Sequence, residues 1–107
     1  ILNRRNIHHM HIFHITDEKT WAESKKKSEY RGDSLAAEGF IHCCSFEQVA
    51  GVLKKWFEGK ADLILLGIDV QLLRSPIKYE NLEGGEELFP HIYGPINTDA
   101  VINAKKI

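Results

Sequence analysis

Hydrophobic and polar positions along this chain repeat with a helical period in the first half and with a strand period toward the end. Ile12-Phe-His-Ile-Thr16 reads as a strand. Thr16 or Asp17 is placed to cap a helix over Glu18–Lys27, which has little to bury beyond Trp21 and Ala22. Tyr30–Ser34 reads as a turn and leads through a short Leu35–Glu38 segment, closed by Gly39, into a second strand over Phe40–Cys43. Ser45 and Gln48 make the S-x-x-Q capping box, in which the serine oxygen accepts from an early helix N–H and the glutamine reaches back to the serine N–H. Behind it Phe46, Val49, Ala50, Leu53, Trp56 and Phe57 recur every three or four residues, predicting a helix with one apolar face that ends at Gly59.

Leu63–Val70 is an unbroken apolar run, the pattern of a central strand covered on both sides. Pro76 stops any turn through Gln71–Ser75. Ile77–Glu80 alternates, and Glu83-Gly-Gly-Glu86 is turn chemistry, so a hairpin into Leu88–Tyr93 follows. Gly94-Pro95 breaks that segment, and Ala100–Ala104 is a last strand. Two early helices followed by a run of strands argue an α+β fold on a mixed or antiparallel sheet, not a doubly wound parallel one. A length of 107 residues fits one domain, expected over residues 10–107, with residues 1–9 as a flexible tail and Met10 as a natural start.

Composition narrows the function classes. Hydrophobic residues make up 43% and charged residues 27%, which suits a folded globular domain. The formal charge of -1 leaves no overall field to attract nucleic acid or an anionic membrane, and Lys25-Lys26-Lys27 reads as a solvated helix face. No apolar run approaches the roughly 18 residues that span a bilayer, and the N-terminus lacks the regions of a signal peptide. Cys43 and Cys44 are neighbours and cannot make a disulfide framework, which points to a reducing, cytoplasmic setting.

Three polar stretches carry candidate chemistry. His14 stands at a strand end just before a helix start, where backbone N–H groups and the helix dipole favour an anionic or oxygen-rich ligand. His42 stands in the same way before the Ser45 cap. The third stretch is Glu86-Glu-Leu-Phe-Pro-His-Ile-Tyr-Gly-Pro95: strand alternation puts Phe89, His91 and Tyr93 on one face able to stack on a flat ring, with Glu86 or Glu87 free for ribose hydroxyls or a developing positive charge. The bland alternatives are buried imidazoles satisfied by carbonyls and an aromatic cross-strand face. Cys43 and Cys44 read as small buried hydrophobes before they read as nucleophiles. The histidines at 8, 9, 11 and 14 alternate between strand faces and cannot supply three convergent metal ligands by themselves.

His14-Ile-Thr16, Tyr30-Arg-x-Asp-Ser-Leu35, Glu38-Gly-Phe-Ile-His-Cys-x-Ser45 and Glu87-Leu-Phe-Pro-His-Ile-Tyr-Gly-Pro95 together resemble an uncharacterised, mostly bacterial family of small single-domain proteins, some of which carry a glutathione S-transferase label. The resemblance runs from His11 to Ile102 and implies an ADP-ribosyltransferase-like fold on a split sheet. The motif order is similar to that of the NAD-using RNA 2'-phosphotransferases, with Ile15 where their glycine stands and without their set of arginines. It implies NAD or another small nucleotide-like ligand, held by Thr16, Tyr30, Arg31, Ser34, Ser45, His91 and Tyr93, with His14, His42 and Glu87 as catalytic candidates. His14 would bond a ribose hydroxyl, Tyr30 or Tyr93 would stack, Arg31 would neutralise pyrophosphate, His42 would anchor phosphate or the acceptor, and Glu87 would favour an oxocarbenium-like state. The alternatives are a binding module without turnover and a metal-assisted hydrolase using His14, His42 and His91.

Overall fold

The computed structural model describes residues 11–107; the expected tail, Met10, His8 and His9 lie outside the described residues. Strand β1 (His11–Asp17) runs into helix α1 (Glu18–Lys27), β2 (Glu29–Tyr30), α2 (Gly32–Glu38) and β3 (Ile41–His42). A 3-10 turn at Phe46–Gln48 opens α3 (Val49–Trp56), followed by β4 (Leu63–Asp69), β5 (Ile77–Glu80), β6 (Phe89–Ile92), β7 (Ile96–Asn97) and β8 (Val101–Lys106). Among the described residues the fold is therefore α+β with three helices rather than two, because the segment before Gly39 closes into about two turns of helix.

The described strands form three small sheets in the orders β1-β4-β8, β2-β7 and β3-β6-β5, and every pairing is antiparallel. No parallel pair contributes among the described residues. The first and third sheets meet where Phe13 and Cys44 exchange backbone bonds of 2.8 Å each way.

The register decides what faces the core. Ile12, His14 and Thr16 share one face of β1 and lie opposite Ile68, Leu66 and Ile64 of β4. Those three β4 residues join Ile12, Trp21, Tyr30, Ile41, Ile92, Ile96 and Ala100 in the core. The apolar run at Leu63–Asp69 is buried almost throughout, as its composition predicts. Two polar side chains, His14 and Thr16, are thus carried on a strand face that is otherwise apolar.

Helix α3 differs from expectation. Its capping box forms, with Gln48 Oε1 accepting from Ser45 N–H at 2.9 Å. No residue of α3 is buried, however, and Phe46 and Trp56 are each 56% exposed. The core closes between the strands and Trp21 of α1, with Leu35 of α2 packed against it, and no residue of α3 joins it.

Candidate functional site

The sequence places His14 one strand step from Thr16 on the core face of β1, and β2 brings Tyr30 against both. His14 Nδ1 lies 2.6 Å from the carbonyl oxygen of His42, and His14 Nε2 lies 2.6 Å from the Tyr30 hydroxyl. A carbonyl can only accept, so Nδ1 carries the ring proton. Burial foremost lowers the His14 pKa from 6.5 to about 4, which keeps the ring neutral, and Nε2 then accepts the Tyr30 O–H. Thr16 Oγ1 lies 3.1 Å from the Tyr30 oxygen; with the phenol proton committed to His14, the threonine hydroxyl is the donor of that pair. Burial, chiefly, pushes the Tyr30 hydroxyl up to about 12, so it stays protonated at neutral pH. The result is a neutral chain of polar groups from Thr16 through Tyr30 and His14 to the β3 backbone.

This chain forms one wall of an open cleft of about 520 Å³. Asp17, Asp33, Ser34, Phe57 and Lys60 complete its polar and aromatic lining. The volume is within the range of small-molecule sites. Gly32 lines the cleft in the left-handed region with φ 64°, and a Cβ there would lie 2.9 Å from the Tyr30 hydroxyl oxygen, so any side chain would press on the phenol that holds His14.

Tyr30 is fixed from a distance. It pairs with Ile96 of β7, and β7 follows the Gly94-Pro95 break. Ser75 Oγ donates to the Pro95 carbonyl at 2.6 Å in the space that a Cβ on Gly94 would occupy. Buried Asn97 accepts from Arg74 N–H at 3.0 Å and donates to the Leu72 carbonyl at 2.9 Å, tying β7 to the connection after β4.

The remaining predicted residues gather elsewhere. Phe40 stacks on His91 with centroids 4.4 Å apart and touches His42 at 4.8 Å and Tyr93 at 5.3 Å. Glu80 on β5 accepts from His91 Nδ1 at 3.0 Å and from the Tyr93 hydroxyl, bonds that hold its carboxyl below the usual range. His42 Nε2 pairs with Glu38 at 2.5 Å. His42 thus belongs to both places: its carbonyl serves His14, and its ring lies in this second cluster, 5.2 Å from His91.

Neither Glu87, Arg31 nor Ser45 lines the cleft. Glu87 accepts from Gln48 Nε2 at 3.3 Å, Arg31 pairs with Glu29 at 2.6 Å in the open, and Ser45 caps the turn into α3. Among the described residues, no three His, Cys, Asp or Glu side chains are arranged to hold a metal ion. Burial raises both thiols, Cys44 to about 11 and Cys43 well above the ordinary thiol value, so neither is a ready nucleophile. Sequence reasoning passed over Glu80, Asp33, Lys60 and Phe57. Glu80 was legible only as an alternating strand residue; Asp33 lies inside the Tyr30–Leu35 motif beside the predicted Tyr30 and Ser34, while Phe57 and Lys60 come from the segment just after α3, which no local motif links to it.

No described helix is long and apolar enough to cross a membrane. No curated protein matches the chain. The family described as Protein of unknown function (DUF952) matches residues 15–104. The crystal structure of protein CC0527 from Caulobacter crescentus is similar, with 31% identity, a TM-score of 0.80, and coverage of 90% of this chain and 84% of that one. The solution NMR structure of CC0527 agrees, at 30% identity, a TM-score of 0.78, and coverage of 92% and 84%. This chain belongs to the DUF952 family.

Proposed function

We propose that this DUF952 protein binds the ribosyl end of a nucleotide such as NAD or ADP-ribose in the cleft walled by β1, β2 and the start of α2. The observation that carries the reading is His14, a neutral imidazole fixed at both nitrogens by the His42 carbonyl and the Tyr30 hydroxyl beside a ligand-sized hollow. Fixing both nitrogens sets the ring's tautomer and orientation before a ligand arrives, which removes part of the ordering cost of binding. The hydroxyls of Thr16, Ser34 and Tyr30 and the carboxylates of Asp17 and Asp33 suit a sugar diol, and the Phe57 ring offers an apolar surface for a base. The ADP-ribosyltransferase-like fold belongs to the same reading, as do the roles of Thr16, Tyr30 and Ser34 in holding the ligand.

Binding without turnover is favoured over cleavage of the nicotinamide bond. Glu87, the candidate for favouring an oxocarbenium-like state, is engaged with Gln48, and the rings of His91 and Tyr93 are tied to Glu80. Calorimetry with NAD, ADP-ribose and nicotinamide, followed by an assay for released nicotinamide, tests both parts. Heat or a thermal shift without release is the expected result. Absence of both, with each of these ligands and with nicotinamide riboside at millimolar concentration, removes the reading, and stoichiometric release makes the protein an enzyme.

A further inference from the structure

We infer that the cleft selects a phosphate-free ligand, an N-ribosylated ring that is neutral or cationic, over the same ring carrying a phosphate or diphosphate. This rests on the ribosyl-binding reading above and names the chemical class that the cleft's charge admits.

Helix α1 begins at the cleft, and a helix start is an ordinary backbone site for phosphate. That start is already supplied with an anion by the chain itself. Asp17 caps α1: its Oδ1 accepts from Thr20 N–H at 2.7 Å and its Oδ2 from the Thr20 hydroxyl at 2.8 Å. These bonds hold its carboxyl below the usual range, so it is ionised whenever the fold is intact at neutral pH. Asp33 stands in the first turn of α2 and lines the cleft. A phosphate entering here would lie beside two carboxylates.

Compensation is thin. Among the described residues Lys60 is the one lining residue of opposite charge, and its ammonium sits over the Phe57 ring, 5.4 Å from the centroid. Arg31, the expected partner of a pyrophosphate, is outside the lining and bonds Glu29. The Tyr30 hydroxyl feels the same field: after burial, the charges of Asp17 and Asp33 contribute to its raised pKa. A ribose instead meets carboxylates that accept from its O–H groups, and a pyridinium or similar cationic ring gains from the same two charges. Sugar and base are welcome where phosphate is not.

The test is a calorimetric titration of the full chain with nicotinamide riboside, nicotinamide mononucleotide and NAD, at low and high salt. The riboside is expected to bind roughly tenfold or more tighter than either phosphorylated form, the scale of a few kT that one like charge sets near a protein surface. The gap should narrow as salt rises, and Asp33→Asn should narrow it by weakening the riboside most. Equal or tighter binding of the mononucleotide or NAD overturns the phosphate-free assignment and leaves the ribosyl reading standing. No heat from any of the three overturns both.

Discussion

His14 on β1 and the pair His42–His91 on β3 and β6 stand in different sheets, and their surroundings are opposite. His14 meets only neutral partners, a carbonyl and a phenol, and burial drives it toward the uncharged form. His42 and His91 each meet a carboxylate, Glu38 and Glu80. The first arrangement stores a fixed, neutral hydrogen-bonding edge on a hollow. The second ties β3, β5 and β6 together around the Phe40 ring. What separates the two is not residue type or local motif but the chemistry of the partners that the register brings in.

The largest effect that can sharpen this contrast is the pH dependence of stability. The folded His14 binds its proton less readily than the unfolded one, so its contribution is complete above about pH 6.5 and is lost as pH falls toward 4. The loss is on the order of 3 kcal/mol, followed by urea denaturation at a series of pH values. His14→Gln should flatten the curve in that window, and His91→Gln should leave it sloping. A wild-type curve that is level between those pH values would break the contrast.

Alkylation comes next. Cys44 lies where the two regions meet, and its raised pKa implies about a hundredfold less thiolate at neutral pH than an ordinary cysteine offers. Native protein should therefore label with iodoacetamide only as fast as it opens. Rapid labelling of the folded chain would contradict the burial of this junction.

The two tyrosines give a paired comparison. Tyr30→Phe strands His14 Nε2 and the Thr16 hydroxyl inside the wall, a cost of about 1–3 kcal/mol, whereas Tyr93→Phe leaves Glu80 with His91 and solvent and should cost less than about 1 kcal/mol. Equal losses in chemical denaturation would make the two regions equivalent. The smallest effect is a control outside both: Trp56→Ser on the exposed side of α3 should change stability by about 0.5 kcal/mol or less, read from the same denaturation curves.

What the sequence revealed and what it hid follow one rule, the range of the interactions. Short-range signals held: the Asp17 cap, the Ser45–Gln48 box and the apolar run of β4 each depend on neighbours within a few residues. The stripe on α3 has the right spacing but not the expected burial, because spacing says which side faces inward and not whether a core lies there. The β2–β7 pairing is two residues long and joins segments more than sixty residues apart, too brief for any periodicity to mark. It nevertheless decides the site, since Tyr30 holds His14 through its hydroxyl. The histidines were visible as candidates; their division between a hollow and a ring cluster depended on Glu38, only four residues before His42, and on Glu80, which lies eleven residues from His91 and reads as a plain strand residue.

Chemical-shift mapping of the isotopically labelled chain with saturating nicotinamide riboside or NAD tests the account at its centre. Shifts confined to Thr16, Tyr30, Gly32, Ser34 and the His14 ring, with His91 and Tyr93 undisturbed, are predicted. Shifts centred on Phe40, His91 and Tyr93, or none with either compound, would contradict it.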